Sequence, residues 1–127
     1  MTKTGYTLKD VVIGSAFRIT RTYTGLPTGV TVSTVYLTIK RNLTDADADA
    51  LVSISITTTV GVNGQITDAD TTGGSIAMYF NVSESASGAA TVDTYWLGVD
   101  VETTENGSYN RHTLERSKIV FIDGVRD

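Results

Sequence analysis

The chain has 127 residues, 40% of them apolar, with a formal net charge of −4 and no cysteine. That length fits one domain able to bury a core without staples, and the missing cysteines exclude disulfides, a thiol nucleophile and a thiolate metal site. Basic residues are dispersed rather than clustered, which argues against nucleic acid as a partner, because backbone phosphates demand a basic stripe.

Residues 1–10 are polar, anchored only by Tyr6 and Leu8, and read as an arm or an edge strand. No apolar h-region follows Met1, so no secretory signal is expected. No window approaches the roughly 20 apolar residues of a membrane span, so a soluble protein is expected. Val11, Val12 and Ile13 form a short apolar run closed by Gly14 and Ser15. Phe17, Ile19 and Arg21 then alternate with Arg18, Thr20 and Thr22, the period of a strand with one face inward. Residues 25–29, Gly-Leu-Pro-Thr-Gly, carry turn chemistry. The longest strand candidate covers residues 30–40, with Val35, Leu37 and Ile39 on one face and Tyr36, Thr38 and Lys40 on the other.

Residues 42–50 break that pattern. Alternating Ala and Asp behind a Thr44 or Asp45 cap fit a single helical turn, its carboxylates near the favourable end of the dipole. Val52, Ile54 and Ile56 alternate with Ser53 and Ser55 as another strand, and an Asn63-Gly64 turn and a loop over residues 67–75 follow. Ile76, Met78, Phe80 and Val82 alternate with Ala77, Tyr79 and Asn81, and residues 84–90 read as a flexible connection or a short helical turn. Tyr95, Leu97, Val99 and Val101 alternate with Trp96, Gly98, Asp100 and Glu102, and Asn106-Gly107 supplies a tight hairpin turn. A return strand over 109–114, a polar corner over 115–118 and a final strand over 119–122 complete the series. The pattern predicts an all-β, immunoglobulin-like antiparallel β-sandwich of about seven or eight strands with minimal helix. It forms one domain over residues 1–127, with a possible arm at 1–10 and a tail at 124–127.

Asp45, Asp47 and Asp49 offer oxygens at alternate positions, as calcium loops do. Ala50 stands where that loop needs Gly and Ile56 where it needs a bidentate Glu, so a solvated turn is expected and no metal. His112 is the sole histidine, and a Ser-His-acid hydrolase would have to use it. No nucleophile elbow accompanies it, and one histidine leaves zinc short of ligands; a surface histidine on the hairpin is expected. Asp100 and Glu102 share a strand face and cannot bracket a glycosidic bond from opposite sides. No cofactor is expected. Trp96 with Tyr36, Tyr79, Tyr95 and Tyr109 could form a sugar-stacking platform, although a core or a protein interface draws on the same residues.

The order of these pieces resembles the N-terminal β-sandwich domain of the upper baseplate protein family of tailed phages. The likeness is carried by Gly14-Ser15-Ala16-Phe17-Arg18-Ile19, by Gly25-Leu26-Pro27 leading into residues 35–40, and by the Asp-rich turn and strand of residues 45–56. It continues through residues 76–80 and is closest at residues 95–101, Asn106-Gly107, Tyr109, Thr113-Leu114, Ser117 and residues 119–122. The resemblance implies a non-enzymatic virion component of the baseplate, tail, neck or fibre attachment. Such a protein is made in the bacterial host cytoplasm and works as a homo-oligomer that contacts copies of itself and other phage structural proteins. Tyr6, Tyr36, Tyr79, Trp96 and Tyr109 are the expected interface residues. A capsid-decorating protein, or a carbohydrate-binding or adhesin module using Trp96 and the surface tyrosines, is the alternative.

Overall fold

β-branched residues alternating with small polar ones hold most of the backbone extended, because their side chains fit a pleated, half-buried surface. The structure is a computed structural model that describes residues 3–26, 28–69, 72, 74–105 and 107–123, without the side chains of residues 3–7 and 9. Its strands are β1 (Lys3–Val12), β2 (Phe17–Tyr23), β3 (Thr31–Lys40), β4 (Val52–Ile56), β5 (Gly64–Asp68), β6 (Ile76–Val82), β7 (Asp93–Glu105) and β8 (Ser108–Ile122). A 3-10 turn at Asp47–Asp49 and the short helix α1 (Glu84–Gly88) complete the described elements. None of the described helices is long and apolar enough to cross a membrane.

The strands form two sheets, in the orders β1-β8-β7-β3-β4 and β2-β6-β5. Lettering β2 to β8 as B, C, C′, D, E, F and G gives B-E-D facing G-F-C-C′, the immunoglobulin-like arrangement. Tyr95 at the start of β7 adds a familiar detail of that architecture. Its hydroxyl accepts a hydrogen bond from the Thr91 backbone N–H at 3.1 Å, tying the strand to the corner that leads into it. All pairings are antiparallel except one, since β1 runs parallel to β8 with Leu8 opposite Ile119 and Val11 opposite Phe121. Residues 3–10 are therefore part of an edge strand rather than a loose arm.

The core lies between the sheets. Val35, Leu37 and Ile39 from β3 and Leu97, Val99 and Val101 from β7 meet Ile76, Met78, Phe80 and Val82 from β6. Phe121 anchors one end, edge-on to Tyr95 with ring centroids 5.2 Å apart. Tyr95 is thus a core residue and not part of any sugar platform.

Three local expectations are corrected. Residues 108–122 run as one continuous strand, so the polar corner at 115–118 is absent. A bulge makes this possible: Val99 pairs with Glu115 and Asp100 with Thr113, leaving Leu114 as the extra residue. The bulge shifts the phase of β8, turning Arg116 and Lys118 outward and Glu115, Ser117, Ile119 and Phe121 inward. The second correction concerns the turn before β5, which uses Val62-Asn63 between a paired Gly61 and Gly64. Gly64 already belongs to β5, where a Cβ would lie only 2.1 Å from the Tyr79 carbonyl oxygen. Finally, the 3-10 turn starts after Ala46 with no side-chain cap, while Asp45 instead accepts from the Asn42 N–H at 3.2 Å. The expected helical turn after residue 83 is α1, capped by Ser83 accepting from the Ala86 N–H at 3.1 Å. Pro27, Asn106 and the tail at 124–127 lie outside the described residues.

Candidate interaction surfaces

Because neighbouring residues of a strand face opposite ways, β3 and β7 each send one row into the core and one row outward. The outward rows set Tyr36, Thr38 and Lys40 beside Trp96, Gly98 and Asp100, with Tyr36 opposite Asp100 and Lys40 opposite Trp96. On the next strand Lys118 stands opposite Trp96 and Arg111 opposite Glu102. Gly98 has no side chain and floors a shallow depression of about 110 Å³, bordered by Trp96, Thr38, Asp100 and Arg116.

Cations sit over the aromatic rings of this face. The Arg111 guanidinium lies 4.3 Å from the Tyr36 ring centroid and also reaches Asp100 at 3.5 Å. The Lys118 ammonium lies 5.3 Å from the Trp96 ring, within cation–π range. Glu102 accepts from the Tyr36 hydroxyl at 3.3 Å, so Asp100 and Glu102 serve as polar partners of Tyr36 and Arg111. Tyr79 lies on the opposite side of the molecule, on the outer face of the three-stranded sheet, with the Arg18 guanidinium 4.2 Å above its ring. Tyr109 is 75% exposed near the tip of the β7–β8 hairpin. The five expected interface residues therefore do not form one patch: Tyr36 and Trp96 share a face, Tyr79 and Tyr109 stand apart, and the Tyr6 side chain lies outside the described residues.

The other sequence candidates separate as well. Asp47 pairs with Lys40 at 2.7 Å, and that hydrogen bond and charge hold its carboxyl below the usual range. Among the described residues no three His, Cys, Asp or Glu side chains gather as a metal site would require. His112 is half-buried, its Nε2 3.5 Å from a Glu105 carboxylate oxygen. Ser15 donates to the Val12 carbonyl at 2.6 Å.

The most elaborate polar cluster is one the sequence reading missed. Glu115 is fully buried between the sheets, and the Arg21 side chain reaches it from β2 in a two-pronged contact, Nε to Oε1 at 2.8 Å and Nη2 to Oε2 at 3.2 Å. The Tyr23 hydroxyl donates to Oε1 at 2.6 Å and the Ser117 hydroxyl to Oε2 at 2.5 Å. Burial acts to raise the Glu115 pKa, but the hydrogen bonds from Arg21, Ser117 and Tyr23 outweigh it and leave the carboxyl below its ordinary value. Burial, with the carboxylate it donates to, pushes the Tyr23 hydroxyl well above the usual tyrosine range. With two carboxylate oxygens receiving four donors, this is a satisfied inter-sheet clamp. A signal did exist, since Arg21 falls on the inward register of Phe17 and Ile19 and must find a counter-charge there.

The chain matches no family model, and no curated protein matches it.

Proposed function

We propose that this chain is a non-enzymatic structural component of a tailed-phage virion, in the baseplate, tail, neck or fibre attachment, that works through the surfaces of its immunoglobulin-like sandwich. The virion setting rests on the order of sequence elements described above. The contact role rests on one observation: the outer face of the five-stranded sheet carries Tyr36 under Arg111 and Trp96 beside Lys118. Aromatic and arginine side chains are those that dominate protein interfaces, because they bury large area with few lost rotamers and still offer polar tips. The depression beside Trp96, about 110 Å³, is well under the roughly 300–1,000 Å³ of small-molecule sites and suits a broad contact.

Mass spectrometry and cryo-microscopy of purified phage particles that encode the chain test this reading. Expected is a fixed copy number per particle, with density for the sandwich against a neighbouring virion protein. Absence from particles overturns it.

A carbohydrate-binding reading draws on the same Trp96, which borders a polar depression floored by Gly98. Glycan-array binding that disappears in Trp96→Ala with the fold intact would favour it. The guanidinium groups lying over Tyr36 and Tyr79 weigh the other way, since stacking a sugar needs a bare ring face.

A further inference from the structure

The sandwich has four edges, and one differs from the rest in charge. β1 contains Lys3, Lys9 and Asp10, β2 contains Arg18 and Arg21, and β5 contains Asp68, whereas β4 reads Val-Ser-Ile-Ser-Ile. The uncharged stretch is longer than the strand, for residues 50–67 hold no Asp, Glu, Lys or Arg in a chain that is 19% charged. Natural sheets protect their edges with lysine, proline, bulges or a covering segment. β4 has none of the first three. It closes the five-stranded sheet with β3 as its strand partner, paired without a register shift.

The surroundings of β4 are apolar and open. A hollow of about 210 Å³ lies between it and the second sheet, lined by Val52, Ile54, Val62, Val82 and Ala86. The neighbouring hairpin exposes Val60 at 67% and Val62 at 87%. This is the position where a variable-type immunoglobulin domain carries a further strand beyond C′.

We propose that β4 is a self-pairing edge, and that two copies of this chain join through it antiparallel about a two-fold axis into a ten-stranded sheet. The strand reads alike in both directions. Centred on Ile54, antiparallel pairing sets Ile54 against Ile54 of the second copy, Ser53 against Ser55, and Val52 against Ile56. Apolar side chains then meet apolar ones on the inner face, and hydroxyls meet hydroxyls on the outer face, both favourable cross-strand pairs. Charge points to the same partner. Two copies each bearing a formal −4 repel at long range, and this uncharged edge lets them meet without opposing like charges. The inference rests on the reading of the chain as an assembling contact module and names the strand and partner involved.

Analytical ultracentrifugation of the full chain over a range of concentrations provides the test, beside the variant Ser53→Lys/Ser55→Lys. Both serines are exposed on the outer face, so the fold is retained, as far-UV circular dichroism will verify. Expected is a wild-type mass that rises from one copy to two, and a variant that stays at one copy at every concentration. A single-cysteine variant, Ile54→Cys in a chain with no other thiol, sets the thiol against its own copy on the two-fold axis and should give a disulfide-linked dimer on oxidation, while Ser108→Cys at the hairpin tip should not. Oligomers that persist in the lysine variant overturn the β4 edge and leave the assembly reading intact. A wild-type chain that stays single throughout overturns self-pairing, and the virion reading then stands or falls on the particle experiment above.

Discussion

Arg21 and Glu115 meet across the space between the two sheets, guanidinium Nε 2.8 Å from Oε1, with the glutamate side chain fully buried and the arginine 10% exposed. A buried ion pair of this kind is costly to break from one side, because the surviving charge is left without water or a counter-charge. Arg21→Met should destabilise the protein by about 3–5 kcal/mol in urea unfolding. The double variant Arg21→Met/Glu115→Leu removes the stranded charge but leaves the Tyr23 and Ser117 hydroxyls without their acceptor, so it should recover only part of that loss. A double variant no better than the single would show that the pair itself supplies the stability.

The same carboxylate makes the protein sensitive to acid. The folded-state pKa of Glu115 is depressed, so its contribution is present above the unfolded value of about 4.3 and disappears as pH falls through the folded value. Unfolding free energies measured from pH 7 down to pH 3 should fall more steeply for the wild type than for Glu115→Gln. Equal slopes would count against the clamp as drawn.

Tyr23 governs the alkaline side. Its folded pKa is raised above that of the unfolded chain, so the folded state keeps a proton that the unfolded state releases. Stability is then present below about pH 10 and lost above it, at about 1.4 kcal/mol per pH unit from this group. Tyr23→Phe should lack that part of the alkaline loss in a series of denaturation curves from pH 8 to 11.

Two glycines with positive φ should respond differently to alanine. At Gly64, with φ of 128°, a Cβ would lie 2.1 Å from the Tyr79 carbonyl oxygen, and Gly64→Ala should cost about 3 kcal/mol or more. At Gly107, with φ of 79°, nothing lies within 4 Å, so Gly107→Ala should cost only about 1 kcal/mol of backbone strain. Thermal denaturation of both variants separates steric clash from strain alone.

Trp96→Ala should leave stability nearly unchanged, because the ring lies on the outer face of β7 rather than in the core. Under the virion role proposed above, its effect should fall on incorporation into particles, read as copy number in purified virions. A large drop in melting temperature would instead mark Trp96 as a packing residue.

Much of the fold was legible because inward and outward rows are cleanly apolar and polar in β3, β6 and the middle of β7. β8 was not, and the reason is specific. Glu115 and Ser117 look like surface residues to any hydropathy pattern, and the arginine that satisfies Glu115 lies 94 positions earlier. A bulge at Leu114 compounds the difficulty, since it reverses which residues face inward without leaving a Gly or Pro to mark the change. The aromatic platform failed for a simpler reason. Tyr95 and Trp96 are adjacent on one strand, so the same alternation that revealed the strand also sends them to opposite faces.

The parallel union of the first and last strands has a mechanical meaning. A pull applied at the start of β1 and the end of β8 runs along their shared ladder instead of peeling it from one end, so its hydrogen bonds resist together rather than in turn. A sandwich joined in this way should resist tension along that axis better than one whose terminal strands can unzip.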